Sequence, residues 1–218
     1  NSFLDEDAIV RQNLLKYYLY MRIPLPVDSL VVLLSDSDLG VLLEALSKIS
    51  SNASQRVVVN KIKELANHTN RGVRLKVVDV ARDSNRYHPE YRSVLRSITN
   101  DQDSEVACMA AVELARFGER LSSTITGRIK QYLLSARGMN SSVTTILYAV
   151  SAMGSDAIEI YSALTEHSSS KMRSVAWQRY LNLVKGWDNS EIWLPALKAR
   201  DKGVREKILL SLRGRVSE

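Results

Sequence analysis

Enzyme chemistry calls for nucleophiles, metal ligands or phosphate-gripping loops, and this sequence has few of them. Its single cysteine, Cys108, sits in the apolar stretch from Val106 to Leu114. A cysteine nucleophile needs a lowered pKa and access to solvent. An apolar helix supplies neither, so Cys108 reads as a small core residue. The three histidines, His68, His88 and His167, are too scattered to suggest a histidine metal centre. His68 and His167 fall near helix ends, where the helix dipole favours a cation. The acidic runs Asp5-Glu6-Asp7 and Asp101-Gln102-Asp103-Ser104-Glu105 could supply metal ligands. Helix starts attract carboxylates anyway, and that is the reading we expect. No GxGxxG, GxxxxGK[ST] or HExxH pattern occurs. The expectation is no catalytic residue, no cofactor and no metal.

Binding chemistry has more to work with. The formal charge is +6, but it is uneven. Arg56 to Arg96 carries ten basic residues against four acidic ones, and Lys171 to Arg215 eleven against four. The stretch between them is net −3, and residues 1–109 are neutral. Two basic blocks of this kind suit an acidic partner better than a groove that is basic along its whole length. Trp177, Trp187 and Trp193 cluster late in the chain. Trp187 lies in a turn with Gly186 and Asp188, which makes it a candidate binding anchor.

The elements that must position these residues read as helices. Apolar residues recur at three and four positions almost throughout, and strand-like alternation is rare. Clusters such as Ser35-Asp36-Ser37-Asp38, Thr69-Asn70-Arg71-Gly72 and Asn100 to Ser104 interrupt the pattern at short intervals. Polar and glycine clusters of this kind end one helix and cap the next. The pattern predicts about a dozen helices. Pro24 and Pro26 separate a first helix, about Asp7 to Arg22, from the rest. Pro89 suits a helix first turn, while Pro195 should kink its helix or lie in its first turn. No run is long and apolar enough for a membrane span. The acidic start is unlike a secretory signal, and one cysteine excludes a disulfide framework. By elimination the expected location is cytoplasmic. The chain opens on Asn1 and its last helical stretch, Lys207 to Val216, nearly reaches the end, so both ends read as cut from a longer chain.

The helices can be laid over one another. Leu39, Val73, Val106, Val143, Met172 and Val204 are taken as equivalent, at spacings of 34, 33, 37, 29 and 32 residues. Four positions on come Leu43, Val77, Ala110, Leu147, Ala176 and Ile208, all apolar. A beat near 33 residues in an all-helical chain is the mark of stacked helix pairs, because one amphipathic pair cannot bury both its apolar faces alone. The expected partner helices are about Ser29–Ser35, Gln55–Asn67, Glu90–Thr99, Ser122–Ala136, Asp156–His167 and Glu191–Ala199. The expected organisation is a leading helix and proline-containing linker over 1–27 and a repeat array over 28–218. Within that register Arg74, Arg173 and Arg205 are equivalent, as are Lys76 and Lys207. If their helices line a concave face, these side chains share one surface and could meet phosphates. The competing reading bonds the arginines to turn aspartates and carbonyls of adjacent repeats. The candidate binding surface is Arg74, Lys76, Arg173, Arg205, Lys207 and Trp187.

The run from Asp101 to Val106 with Ala110-Ala111, and Asp201-Lys202-Gly203-Val204-Arg205, resemble HEAT-type and armadillo-type repeats. Asn70-Arg71-Gly72-Val73-Arg74 and Met172-Arg173 match in part. Ala107, Thr144 and the first unit, with Leu39-Gly40, depart from the pattern. The resemblance covers about Asp28 to Val216. It implies an all-α, right-handed α-solenoid of about six antiparallel helix pairs. A helical solenoid offers a long concave surface and brings no catalytic group of its own. The expected function is therefore a non-catalytic binding scaffold, or a regulatory or sensor arm. Its expected partner is a protein or peptide with acidic character. The alternative is a nucleic-acid-binding protein similar to the HEAT-like alkylpurine DNA glycosylases. Its candidates would be Trp177 or Trp187 with Asp79 or Asp188, plus Arg173 and Arg205.

Overall fold

The computed structural model describes residues 2–21, 23–49, 54–85, 88–184 and 190–213. Every regular element among them is helical. No helix among the described residues is long and apolar enough to cross a membrane. The chain divides into two compact units, Asn1–Ala111 and Val112–Glu218.

The first unit opens with a 3-10 turn, Ser2–Leu4. Six helices follow: α1 (Ala8–Tyr20), α2 (Val27–Leu33), α3 (Leu39–Leu46), α4 (Arg56–Leu65), α5 (Arg71–Asn85) and α6 (Tyr91–Ile98). The first part of α7 (Ser104–Arg116) also belongs to it. Odd-numbered helices touch in order, α1 on α3 and α3 on α5, and so do even-numbered ones, α2 on α4 and α4 on α6. Each of α3, α5 and α6 also packs on the helix before it. The second unit continues with α8 (Ser123–Ser135), α9 (Ser141–Ala149), α10 (Ser155–Leu164), α11 (Ser170–Leu183), α12 (Ser190–Leu197) and α13 (Lys202–Arg213). There α8 packs on α10 and α11 on α13, alongside the sequential contacts α8 to α9 and α10 through α13.

The polar clusters act as the sequence predicts. Asp38, Ser122 and Asn140 sit at N-caps, and their side chains accept the amides of Val41, Ile125 and Val143. Each satisfies one of the helix's unpaired first-turn donors. At the end of α7, Gly118 takes φ +81°. The amide of Glu119 then reaches back to the Leu114 carbonyl at 3.1 Å, the chain reversal that glycine permits without a Cβ penalty. Pro195 lies sixth in α12, past its first turn, and the helix ends two residues later at Leu197. Single-turn bonds from the Lys198 and Ala199 amides close it.

The apolar columns lie inside. Val73, Val77, Val106, Ala110, Val143, Leu147, Met172, Ala176, Val204 and Ile208 are all buried. Fully burying a side chain such as Val, Leu or Met contributes roughly 1.5–3 kcal/mol. The first pair shows a difference. Leu39 is exposed and Leu43 half-buried, while Val41, Leu42, Ala45 and Leu46 are buried. Because Asp38 is the cap, Val41 rather than Leu39 occupies the place of Val73, a shift of two residues.

Candidate functional site

The arginines at helix starts are held in one repeated arrangement. Arg74 is the fourth residue of α5, and only 6% exposed. Its Nε donates to Asp101 Oδ2 at 2.6 Å and its Nη2 to Asp101 Oδ1 at 3.1 Å. Its Nη1 donates to the carbonyls of His68 and Thr69 at 2.8 and 3.0 Å. Arg173 is the fourth residue of α11, and 7% exposed. Its Nε and Nη2 reach Asp201 at 2.6 Å each, and its Nη1 reaches the His167 and Ser168 carbonyls at 2.7 Å each. Four of the five guanidinium donors are thus engaged in each. The planar fork of arginine matches a carboxylate bidentately. The hydrogen bonds from Arg173 hold the Asp201 carboxyl below its usual range, against the opposing effect of burial.

A third copy of the arrangement involves Arg11, which sequence reasoning missed. Arg11 is the fourth residue of α1. It clamps Asp36 through Nε and Nη2 at 2.7 Å each and reaches the Asp5 and Glu6 carbonyls through Nη1. Asp36 is held low by these bonds first, with burial opposing and the Asp38 amide assisting. The signal was legible in two places. Asp36-Ser37-Asp38 repeats as Asp101-Gln102-Asp103, and the arginine keeps its helix position. Treating α1 as a separate leader hid both. In the structure α1 packs on α3 and belongs to the same row of helices.

The histidines also take part. The Nδ1 of His68 accepts the Asn70 amide at 3.0 Å, and that of His167 the Ser169 amide at 2.9 Å. As an acceptor each Nδ1 is unprotonated, so Nε2 carries the hydrogen. His167 is buried, and its Nε2 has no hydrogen-bond partner among the described residues. The motif His-x-x-x-x-x-Arg therefore recurs at 68–74 and 167–173.

The remaining sequence candidates are dispersed. Lys76 is half-buried on α5. Arg205, fourth in α13, donates through Nη1 to the Ala199 carbonyl at 2.6 Å. Lys207 falls within α13, with its side chain outside the described residues, as are Trp187 and Asp188. Asp79 is engaged by Arg82 at 2.9 Å. Cys108 is buried, and the buried Glu113 carboxylate is held by Arg116 at 2.8 Å. Among the described residues no group of three or more His, Cys, Asp or Glu side chains could hold a metal.

The second unit contains an open cleft of about 640 Å³ between the end of α10, α11 and α12. Trp177 and Tyr180 form its aromatic wall, with ring centroids 6.0 Å apart in an edge-to-face arrangement. Trp177 is 8% exposed, so it belongs to the apolar cluster with Leu181, Ala196, Val204 and Ile208 and offers the cleft only an edge. Glu166, Lys198 and Arg200 also line it. Arg200 is tethered through Nη2 to the Glu166 carbonyl at 3.1 Å. An apolar wall with a few convergent polar groups is the common form of a ligand-receiving site. Comparison with protein-family models and with curated proteins yields no match.

Proposed function

We propose that the protein is a non-catalytic binding module: a right-handed solenoid of about six antiparallel helix pairs, similar to HEAT and armadillo repeats. It serves as a scaffold or regulatory arm that takes an acidic protein or peptide segment on its concave face. The arginine clamp carries this reading. It recurs at three interhelical seams and ties the start of one helix to the turn before a later one. That is the work of a stacking device. Arg74 and Arg173 are committed to it and can contact a phosphate only by giving up bonds within the fold. Receiving a partner then falls to surfaces such as the cleft, where Lys198 and Arg200 flank aromatic edges. Charges at such a rim steer association and set specificity more than they raise affinity.

Nucleic-acid binding has less to rest on. Arg173 and Asp79 are paired within the fold, and Trp177 is mostly buried. Fluorescence anisotropy tests the choice, using labelled Glu/Asp-rich peptides with one aromatic residue, duplex DNA and RNA at about 50 and 200 mM salt. The acidic peptides should bind, and the variant K198E/R200E should weaken them about tenfold or more, or roughly 1.4 kcal/mol. Tight DNA or RNA binding at low salt that collapses at high salt, with no peptide binding, refutes the proposal.

A further inference from the structure

The cleft between the end of α10, α11 and α12 holds hydrogen-bond donors that the fold does not use. Trp177 is 8% exposed, and the edge it shows lines the cleft. Its indole N–H meets no acceptor among the described residues and is not enclosed, so it belongs to that edge. An indole nitrogen donates and never accepts. The Tyr180 ring packs edge-to-face on Trp177, and its hydroxyl also has no hydrogen-bond partner among the described residues. In solution water fills such donors. A ligand that displaces the water must bring acceptors of its own or lose those bonds.

The charges lining the cleft are unequal: Lys198 and Arg200 against Glu166. Arg200 is tied to Glu166, with Nη2 donating to its carbonyl at 3.1 Å and lying 4.0 Å from its carboxylate. Those two side chains offset each other. Lys198 has no ion-pair partner among the described residues, so its ammonium is the charge left over. One positive charge matches one carboxylate. A phosphate group carries about −1.5 to −2 near pH 7 and would leave charge uncompensated against an aromatic wall. A run of carboxylates would do the same. The cleft volume of about 640 Å³ falls within the range of sites that bury most of a small ligand.

We propose that the cleft reads a single side-chain carboxylate, which accepts from the Trp177 indole N–H, the Tyr180 hydroxyl and the Lys198 ammonium. An apolar neighbour of that carboxylate lies against the aromatic edges and Pro195. This rests on the cleft receiving an acidic segment, and it names the anchor: one Asp or Glu beside an apolar residue. An amide of the same shape is rejected, because its NH2 group faces donors and leaves them unpaired.

Nitrogen–proton correlation NMR of the 218-residue chain, labelled at tryptophan, tests this. The Trp177 indole signal is the one retained in both Trp187→Phe and Trp193→Phe. Phenylpropionate should move that signal, and phenylpropanamide should bind at least about tenfold more weakly. A hexapeptide blocked at both ends, with one glutamate beside one phenylalanine, should also move it. Its glutamine version should lose about tenfold or more, and two added glutamates should gain less than about threefold. Lys198→Gln and Tyr180→Phe should each weaken phenylpropionate about threefold or more with an unchanged circular dichroism spectrum. The proposal is overturned if acid and amide bind alike, if the Trp177 signal stays still at saturation, or if neither variant weakens binding. It is also overturned if the glutamine peptide with an unblocked C-terminus binds as tightly as the glutamate peptide, which would assign a terminal carboxylate. A gain above threefold from the added glutamates overturns the single anchor and leaves the acidic-segment reading standing. Binding of phenylpropionate with no peptide binding supports the carboxylate site and overturns the segment reading.

Discussion

The clamp at Arg74 makes a quantitative prediction. The Arg74 and Asp101 side chains are 7% and 5% exposed. Replacing Arg74 with Met keeps most of the side-chain length and removes four hydrogen bonds. Asp101 then retains the Asp103 amide at 2.8 Å as the remaining partner of its carboxylate. The His68 and Thr69 carbonyls lose their donor as well. Removing one partner of a buried ion pair costs about 3–5 kcal/mol, mostly the cost of the charge left behind. Asp101→Asn should cost about 2–3 kcal/mol, because the guanidinium keeps its carbonyls but loses its counter-charge. With both changed, no uncompensated charge remains. The double variant should therefore fall short of the sum by about 2 kcal/mol. Urea unfolding followed at 222 nm reads all three. The fold itself supplies a precedent: Ala107, fourth in α7, is buried with no such pair to satisfy. If Arg74→Met costs less than about 1 kcal/mol, like an exposed ion pair, or if the two changes add independently, the clamp is not a stabilising seam and the reasoning fails.

Further predictions follow from the same contacts. Asp36 and Asp201 titrate below the usual aspartate value because arginine hydrogen bonds favour their charged form. Their contribution to stability is fully present above the unfolded value near pH 4 and is lost as pH falls through the folded values. Thermal melts between pH 6 and 2 should show Tm falling only below about pH 4. At the alkaline end, burial pushes the Tyr91 phenol up to about 12, with the Glu90 charge assisting and a Ser84 hydrogen bond opposing. Stability should decline as pH rises from the unfolded tyrosine value near 10 towards that figure, and an ultraviolet titration should show a phenol ionising above the ordinary range that is lost in Tyr91→Phe. Tyr161 donates to the Leu147 carbonyl at 2.6 Å from a buried site. Tyr161→Phe should cost about 1–2 kcal/mol in urea unfolding without altering the helical signal. Gly118→Ala, forced to φ +81°, should cost about 1–2 kcal/mol, measured the same way.

Helix positions were legible because their causes are local. Periodic apolar residues choose the buried face, and residues such as Asp38, Ser122 and Asn140 satisfy the first-turn amides wherever they occur. By residue range, the leading helix and six expected pairs correspond to α1 and to α2/α3 through α12/α13. Register was less secure. Leu39 and Val41 are both apolar, and which one faces inward depends on where Asp38 begins the helix.

The sequence offered two roles for the arginines, and Arg74 and Arg173 take the one that bonds them to turn aspartates and carbonyls; the choice was not local, because an arginine has the same composition and helix position whether it meets a phosphate or a carboxylate. Deciding between them requires Asp101, 27 residues further on, to lie 2.6 Å from Arg74. Long-range packing sets that distance, and local propensity carries no information about it. Arg11 makes the same point from the other side. Its sequence neighbours placed it in a separate leading helix, whereas packing of α1 on α3 brings it onto Asp36, 25 residues away. A motif of two residues becomes a clamp only after the helices between them have stacked.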